Sequence, residues 1–192
     1  MTNKNKLFVT ENDLRKIIGS WDSLALVINH ISEYPEHVSA LMNISMDDKL
    51  EGSWRASWLI SKIHETYPDQ LEPWLDQIID FLQKTTDSSK KREFLKLISY
   101  YPVPEEKTAL MLDYCIRHFT SASEPVAVRV HAMQILFNIS EREPELKHEL
   151  IQLIEHEIEY HSSAGIKSRG SKLLRKLYRQ QGTDYKSVNN RV

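Results

Sequence analysis

The stretch SWRASWLISKIHETYPDQLEPWLDQIIDFLQK, residues 53–84, decides the fold class. Its first half repeats apolar residues at the spacing of one helix face, at Ala56, Leu59, Ile60, Ile63 and Tyr67. Ser53 is a residue type that caps helix starts. The helix is expected to end at Tyr67-Pro68, because a residue before proline avoids the α region and proline suits the first position of a new helix.

A second helix is predicted from Pro68 onward. Its apolar residues keep the same period, at Leu71, Trp74, Leu75, Ile78, Ile79 and Leu82. The acids Asp69 and Glu72 fall in its first turn, where the helix dipole favours negative charge. Two amphipathic helices with almost no linker between them are expected to fold back on each other as a hairpin.

The same kind of junction between helices recurs along the chain. Tyr-Pro junctions stand at 34–35, 67–68 and 101–102, which are 33 and 34 residues apart, and a fourth version, Glu143-Pro144, has lost the tyrosine. Periods in this range are typical of helical repeat arrays. We predict four hairpins at residues 35–66, 68–101, 104–142 and 144–181. A leading helical piece precedes them, with a helix from Glu11 to Ile18 that Thr10 can cap.

A series of arginines recurs at a similar interval. Arg55, Arg92, Arg129 and Arg169 are separated by 37, 37 and 40 residues, each near the start of a helix. The paired helices, the proline that opens each pair and the segments Trp54-Arg55-Ala56 and Val128-Arg129-Val130 resemble HEAT repeats over about residues 35–181.

The resemblance implies an all-α, right-handed α-solenoid of about four stacked antiparallel hairpins. We expect residues 1–181 to form a single HEAT-like domain, and residues 182–192, which lack apolar periodicity, to form a flexible tail. The resemblance also implies that such arginines commonly pair with an aspartate from the preceding turn. The candidate pairs are Arg55 with Asp48 and Arg92 with Asp87, whereas Arg129 has only Glu124 and Arg169 has no acid nearby upstream.

The composition agrees with a soluble helical protein. Hydrophobic residues make up 41% and charged residues 27% of the chain, and only five glycines interrupt the helix formers. No segment approaches 18 consecutive apolar residues, and the first residues do not form a signal-peptide core. We therefore expect a cytoplasmic protein that does not enter a membrane. The single Cys115 lies on an apolar stripe and is expected to be buried.

The net charge of −2 hides an asymmetry between the end of the chain and its body. Residues 165–192 hold eight Lys and Arg against one acid, Asp184, a net charge of +7, which leaves −9 for residues 1–164. A body this acidic is poorly suited to lie along nucleic acid, because affinity there comes largely from neutralised phosphates.

No catalytic or metal site is predicted. His156 and His161 are five residues apart, which places them about 140° apart on a helix, whereas chelation from one helix face needs a spacing of four. The sequence has no glycine-rich phosphate loop and no Ser, His and Asp set that could be defended as a triad. We expect no catalytic residue, no cofactor and no metal.

Two surfaces are candidates for binding a partner. Trp54 and Trp58 project away from the apolar stripe of their helix; burial between repeats is the favoured interpretation, and exposure would make them anchors for a peptide or helix. The last helix carries cations that face away from its packing stripe. A solvated cap on the last repeat is favoured over a patch for an acidic partner. These cations include Lys172, Arg175, Lys176 and Arg179.

The function favoured by the sequence is a non-catalytic scaffold or adaptor that binds another protein or peptide. The alternative is a relative of the HEAT-like DNA-alkylation-repair glycosylases, or another nucleic-acid-binding protein. The acidic body argues against this alternative, because such proteins need a basic groove.

Overall fold

A computed structural model describes residues 11–18, 28, 31, 34, 37–161 and 163–182. Regular structure in these residues is helical, and they contain no strand. The α-helices are α1 (Glu11–Ile18), α2 (Val38–Ser45), α3 (Trp54–Thr66), α4 (Leu75–Leu82), α5 (Ser88–Ile98), α6 (Thr108–Thr120), α7 (Val126–Arg142), α8 (Lys147–Tyr160) and α9 (Ala164–Gln180).

These helices form the predicted hairpins. The pairs are α2 with α3, α4 with α5, α6 with α7, and α8 with α9, each joined by a short and mostly polar segment. The predicted leading helix is also present, since α1 has the expected bounds. The all-α architecture of consecutive helical hairpins is therefore confirmed. Thr10 and residues 183–192 of the predicted tail lie outside the described residues.

The chain divides into two compact units, residues 1–94 and 95–192, with the division inside α5. In unit 1, α1 packs on α2 and α2 packs on α3. The rings of Phe81 on α4 and Phe94 on α5 meet edge to face at 5.7 Å. In unit 2, α7 packs on α6, α8 and α9, and α9 packs on α8. The prediction that residues 1–181 form a single domain stays a prediction.

The helical stripes form the core of each unit. In α3, Ala56, Leu59, Ile60 and Ile63 are completely buried, and burying one such aliphatic side chain stabilises the fold by about 1.5–3 kcal/mol. In α9, the predicted packing stripe is likewise buried. Tyr67 is an exception to the α3 stripe, since it is 38% exposed at the residue that follows the helix. Its backbone has left the α region at φ −134°, so its side chain no longer follows the helix face.

Two helix starts differ from the prediction. Ser53 does not cap α3, because its hydroxyl donates to the carbonyl of Asp47 at 2.8 Å. The helix expected from Pro68 begins only at Leu75, after two single 3-10 turns, Pro68–Gln70 and Glu72–Trp74. Pro73 explains the delay, because it has no N–H to donate within a continuous α-helix.

None of the described helices is both long enough and apolar enough to cross a lipid bilayer.

Candidate functional site

Arg129 is the centre of a buried polar cluster in unit 2. Its Nη2 contacts Glu157 Oε2 of α8 at 2.6 Å, its Nε donates to the Phe119 carbonyl at 2.9 Å, and its Nη1 donates to the His161 carbonyl at 3.4 Å. The side chains of Arg129 and Glu157 are 5% and 2% exposed. One guanidinium of α7 thus ties the end of α6 to the end of α8 and joins two successive hairpins.

The acid partners predicted for the arginine series are wrong. Asp48 accepts from Lys90 Nζ at 2.7 Å and from Thr85 Oγ1 at 3.1 Å, and Arg55 donates to the Ile18 carbonyl at 3.1 Å. Arg92 pairs with its neighbour Glu93. The buried cation near the start of α5 is thus Lys90, two residues before the predicted arginine.

The remaining predicted acids have local roles. Asp87 accepts hydrogen bonds from the backbone N–H groups of Ser89 and Lys90 at the start of α5, which is the work of a helix cap. Glu124 pairs with His118 Nδ1 at 2.8 Å. Sequence order alone suggested an arginine partner for both acids, but each is engaged within a few residues of its own position.

Arg169 takes part in a polar chain that sequence reasoning missed. Its Nη1 donates to Gln134 Oε1 at 2.7 Å, Gln134 Nε2 donates to Asn138 Oδ1, and Asn138 Nδ2 donates to the Ser99 carbonyl, each at 2.8 Å. The chain runs from α9 across α7 to the turn after α5. Gln134 and Asn138 are four residues apart on one helix face, and this spacing was the available signal.

The four cations predicted on α9 lie on one exposed surface. Their side chains line a shared depression of about 300 Å³, and we call them the α9 basic face: Lys172, Arg175, Lys176 and Arg179. Within the described part of the chain, none of the four reaches a carboxylate at ion-pair distance. Lys176 Nζ lies 5.4 Å from the ring centre of Phe137. The structure thus brings together all four residues that the sequence proposed.

Trp54 and Trp58 are neither buried nor fully exposed. Arg55 lies 5.6 Å from the Trp54 ring centre, and Lys62 Nζ lies 5.9 Å from the Trp58 ring centre. Both distances are within the range of cation–π attraction. Neither of the two predicted states, full burial and full exposure, describes these indoles.

The family model described as HEAT repeat domain matches residues 10–177. The chain belongs to this family. No curated protein and no solved structure matches the chain. The HEAT repeats account for the consecutive hairpins, and proteins of this type use stacked helix pairs to present extended binding surfaces.

An apolar hollow of about 250 Å³ opens on the HEAT repeats of unit 2. It is lined by Leu112, Ile116, Leu136, Leu146, Glu149, Leu150 and Leu153. Small-molecule sites usually enclose about 300–1,000 Å³ and gather several polar groups around the ligand. This hollow is smaller and has one carboxylate at its edge, so its dimensions suit an apolar side chain better than a substrate.

The prediction that His156 and His161 point about 140° apart, too far to share a metal ion, is wrong. Their Nδ1 atoms each lie 3.3 Å from the carboxylate of Glu157, and the two ring centres are 5.8 Å apart. The helical-wheel angle does not apply, because α8 ends at Tyr160 and His161 has turned out of the helix at φ −134°. The sequence-based prediction did not take into account that the helix ends before His161.

Cys115 is completely buried in α6, as predicted, and burial raises the pKa of its thiol. A thiol that is both inaccessible and protonated is a poor nucleophile. It therefore serves as a core residue.

Proposed function

We propose that this HEAT repeat protein is a non-catalytic scaffold that binds an acidic segment of another protein through the α9 basic face. The observation that carries the proposal is the set of four exposed cations, which share one surface and have no ion-pair partner among the described residues. Residues 165–182 contain six Lys and Arg and no acid, so no neighbour on α9 neutralises them.

The scaffold beneath this face supports a binding role. The apolar side of α9 is fixed, with Ile166, Leu173, Leu174 and Leu177 buried. Gly170 lets α8 approach so closely that a Cβ there would lie 2.8 Å from Ile158 Cδ1. A surface whose helix is held in this way loses little conformational entropy when a partner binds.

An acidic protein segment is favoured over nucleic acid by the charge of the remainder of the chain. Residues 1–164 carry −9, which would repel a phosphate backbone that extended beyond α9. A short acidic peptide can occupy the α9 basic face without meeting that body. The glycosylase alternative needs a basic groove along the repeats, and no observation favours it.

The proposal is tested by fluorescence anisotropy with two labelled probes, a ten-residue glutamate peptide and a 20-base-pair DNA duplex, at low salt. The test variant replaces Lys172, Arg175, Lys176 and Arg179 with Gln. The matched control replaces four other exposed cations with Gln, at Lys16, Lys49, Lys84 and Arg117. Both variants change the net charge equally, so non-specific attraction falls equally in both.

We expect the peptide to bind the wild type, to bind the control with nearly unchanged affinity and to bind the test variant at least tenfold more weakly. Tighter binding of the duplex than of the peptide through the same four residues would replace the proposal with nucleic-acid binding. Failure of the peptide to bind the wild type, or equal loss in both variants, would refute it.

The two indoles of α3 are a second candidate surface. Trp54 and Trp58 expose part of their rings beside cations, an arrangement that suits contact with an apolar and acidic segment. We propose them as an auxiliary contact for the same partner. The expected cytoplasmic location also remains a proposal.

A further inference from the structure

Three side chains with metal-binding atoms converge at the end of α8. The ligand atoms of His156, Glu157 and His161 all lie within 4.8 Å of one another. His156 Nδ1 is 3.3 Å from Glu157 Oε1, and His161 Nδ1 is 3.3 Å from Glu157 Oε2. The carboxylate thus faces one imidazole with each of its oxygens.

The spacing fits ligands around a common ion. With bonds of about 2.0–2.1 Å to nitrogen and oxygen, neighbouring ligand atoms of a tetrahedral zinc ion lie about 3.3 Å apart. Hydrogen bonds between N–H and oxygen are usually shorter, about 2.9–3.0 Å. Each imidazole of the cluster therefore lies farther from its nearer carboxylate oxygen than a good hydrogen bond requires. When Glu157 binds through one oxygen, one of these two distances is a ligand edge, and the three ligand atoms stay within 4.8 Å of one another.

Arg129 holds the cluster from behind. It contacts Glu157 Oε2 at 2.6 Å and donates to the His161 carbonyl at 3.4 Å, while the His161 N–H donates to the Glu157 carbonyl at 3.2 Å. Contacts of this kind orient metal ligands and fix their backbone before an ion arrives. The positive charge of Arg129 also lowers the attraction for a cation, so we expect micromolar rather than nanomolar affinity.

The site is open to solvent on its histidine side. The side chains of His156 and His161 are 55% and 41% exposed, whereas that of Glu157 is 2% exposed. Three protein ligands leave a fourth tetrahedral position for water or for a group from outside the chain. Imidazole and carboxylate ligands suit divalent ions of the zinc class better than calcium or magnesium, which prefer sets made entirely of oxygen.

We propose that His156, Glu157 and His161 bind one divalent transition-metal ion, with zinc as the representative ion. The inference does not depend on the proposed function, because the site uses no residue of the α9 basic face. The ion would join the last turn of α8 to the first residue after it, next to the connection to α9.

The test is isothermal titration of the untagged full chain with zinc chloride at neutral pH. We expect one equivalent to bind with micromolar affinity. The double variant H156A/H161A should bind at least 30-fold more weakly, and because both histidines are exposed it should keep its helical circular dichroism. The matched control is H148A, an exposed histidine of the same helix, which should bind as the wild type does.

A second measurement uses cobalt(II) in place of zinc. We expect a visible absorption band typical of tetrahedral cobalt in the wild type and in H148A, and its loss in H156A/H161A. The proposal is overturned if the wild type binds no zinc, or if the double variant binds zinc and cobalt as the wild type does.

Discussion

Each unit buries a cation near the start of the second helix of a hairpin, a lysine in unit 1 and an arginine in unit 2. Lys90 in unit 1 and Arg129 in unit 2 both lie in the first turns of the second helix of a hairpin, and their side chains are 1% and 5% exposed. Each meets a carboxylate, Asp48 at 2.7 Å and Glu157 at 2.6 Å. The carboxylates differ, because the side chain of Asp48 is 41% exposed and that of Glu157 is 2% exposed.

The difference shows that a buried cation at the start of a hairpin's second helix can contact either neighbouring hairpin, since Lys90 meets an acid 42 residues before it and Arg129 meets one 28 residues after it. The ammonium of Lys90 bonds Asp48 and the Asp47 carbonyl, and its acid keeps contact with water. The planar guanidinium of Arg129 reaches three acceptors at once, and its acid is sealed from water. We conclude that the Arg129–Glu157 pair stabilises the packing of two hairpins strongly, and we call this pair the lock. The Lys90–Asp48 pair in unit 1 is expected to contribute less to stability.

The largest effect is expected for R129M. This change leaves the buried carboxylate of Glu157 with only the imidazoles of His156 and His161, each at 3.3 Å. Breaking a buried ion pair typically costs about 3–5 kcal/mol, and the change also removes the donor to the Phe119 carbonyl. Urea unfolding followed by circular dichroism measures the loss. If R129M cost no more than K90M, the distinction between the two units would be wrong.

A second and smaller loss is expected for G170A in unit 2. The added methyl group would lie 2.8 Å from Ile158 Cδ1 and 3.0 Å from Ile154 Cγ2, and overpacking of this kind costs about 1–3 kcal/mol. The better helix propensity of alanine offsets about 1 kcal/mol of this cost, which leaves a net loss of about 0–2 kcal/mol. The control is S171A on the same helix, where we expect a change within about 0.5 kcal/mol. A stabilised G170A would show that α8 and α9 are not closely packed.

An effect of about the same size as that of G170A is expected for K90M in unit 1. Methionine keeps an unbranched apolar stem and loses the ammonium, whose Nζ lies 5.4 Å from the Phe81 ring centre. Asp48 can be hydrated once its partner is gone, because its side chain is 41% exposed. We expect a loss of about 1 kcal/mol, the scale of one net hydrogen bond. A loss near that of R129M in the same urea experiment would place a lock in unit 1 as well.

The partly exposed indoles of unit 1 can be tested by fluorescence quenching, and we expect the variant W54F/W58F to change the free energy of unfolding very little. Because Trp54 and Trp58 are half-exposed beside Arg55 and Lys62, iodide should quench their fluorescence more strongly than caesium does. The variant W54F/W58F should lose most of this difference between the two quenchers. Equal quenching by iodide and caesium in the wild type would contradict the proposal that these indoles form a binding surface beside cations.

The helices were predictable because they depend on local signals. The stripe of α3, the bounds of α1 and the Pro144 junction all follow from apolar spacing and from proline, which act within a few residues. Pro73 was overlooked, and it delayed the start of α4 through the same local chemistry. The predicted Ser53 cap was also wrong, because the hydroxyl donates to the Asp47 carbonyl instead.

The partners of charged groups were not predictable in this way. Arg129 and Glu157 are 28 residues apart, and Lys90 and Asp48 are 42 apart, so their contacts depend on how hairpins pack. The α9 basic face was found from sequence because its four cations share one helix. The histidine cluster was missed because His161 lies one residue beyond the end of α8, where the helical angle no longer describes side-chain direction.

A pair of double-mutant cycles, measured by urea unfolding in one buffer, tests the lock most directly. One cycle combines R129M with E157Q, and the other combines K90M with D48N. We predict a coupling free energy of about 2–3 kcal/mol for the first pair and below about 1 kcal/mol for the second. Equal couplings in the two cycles, or a larger coupling for Lys90 and Asp48, would contradict the account.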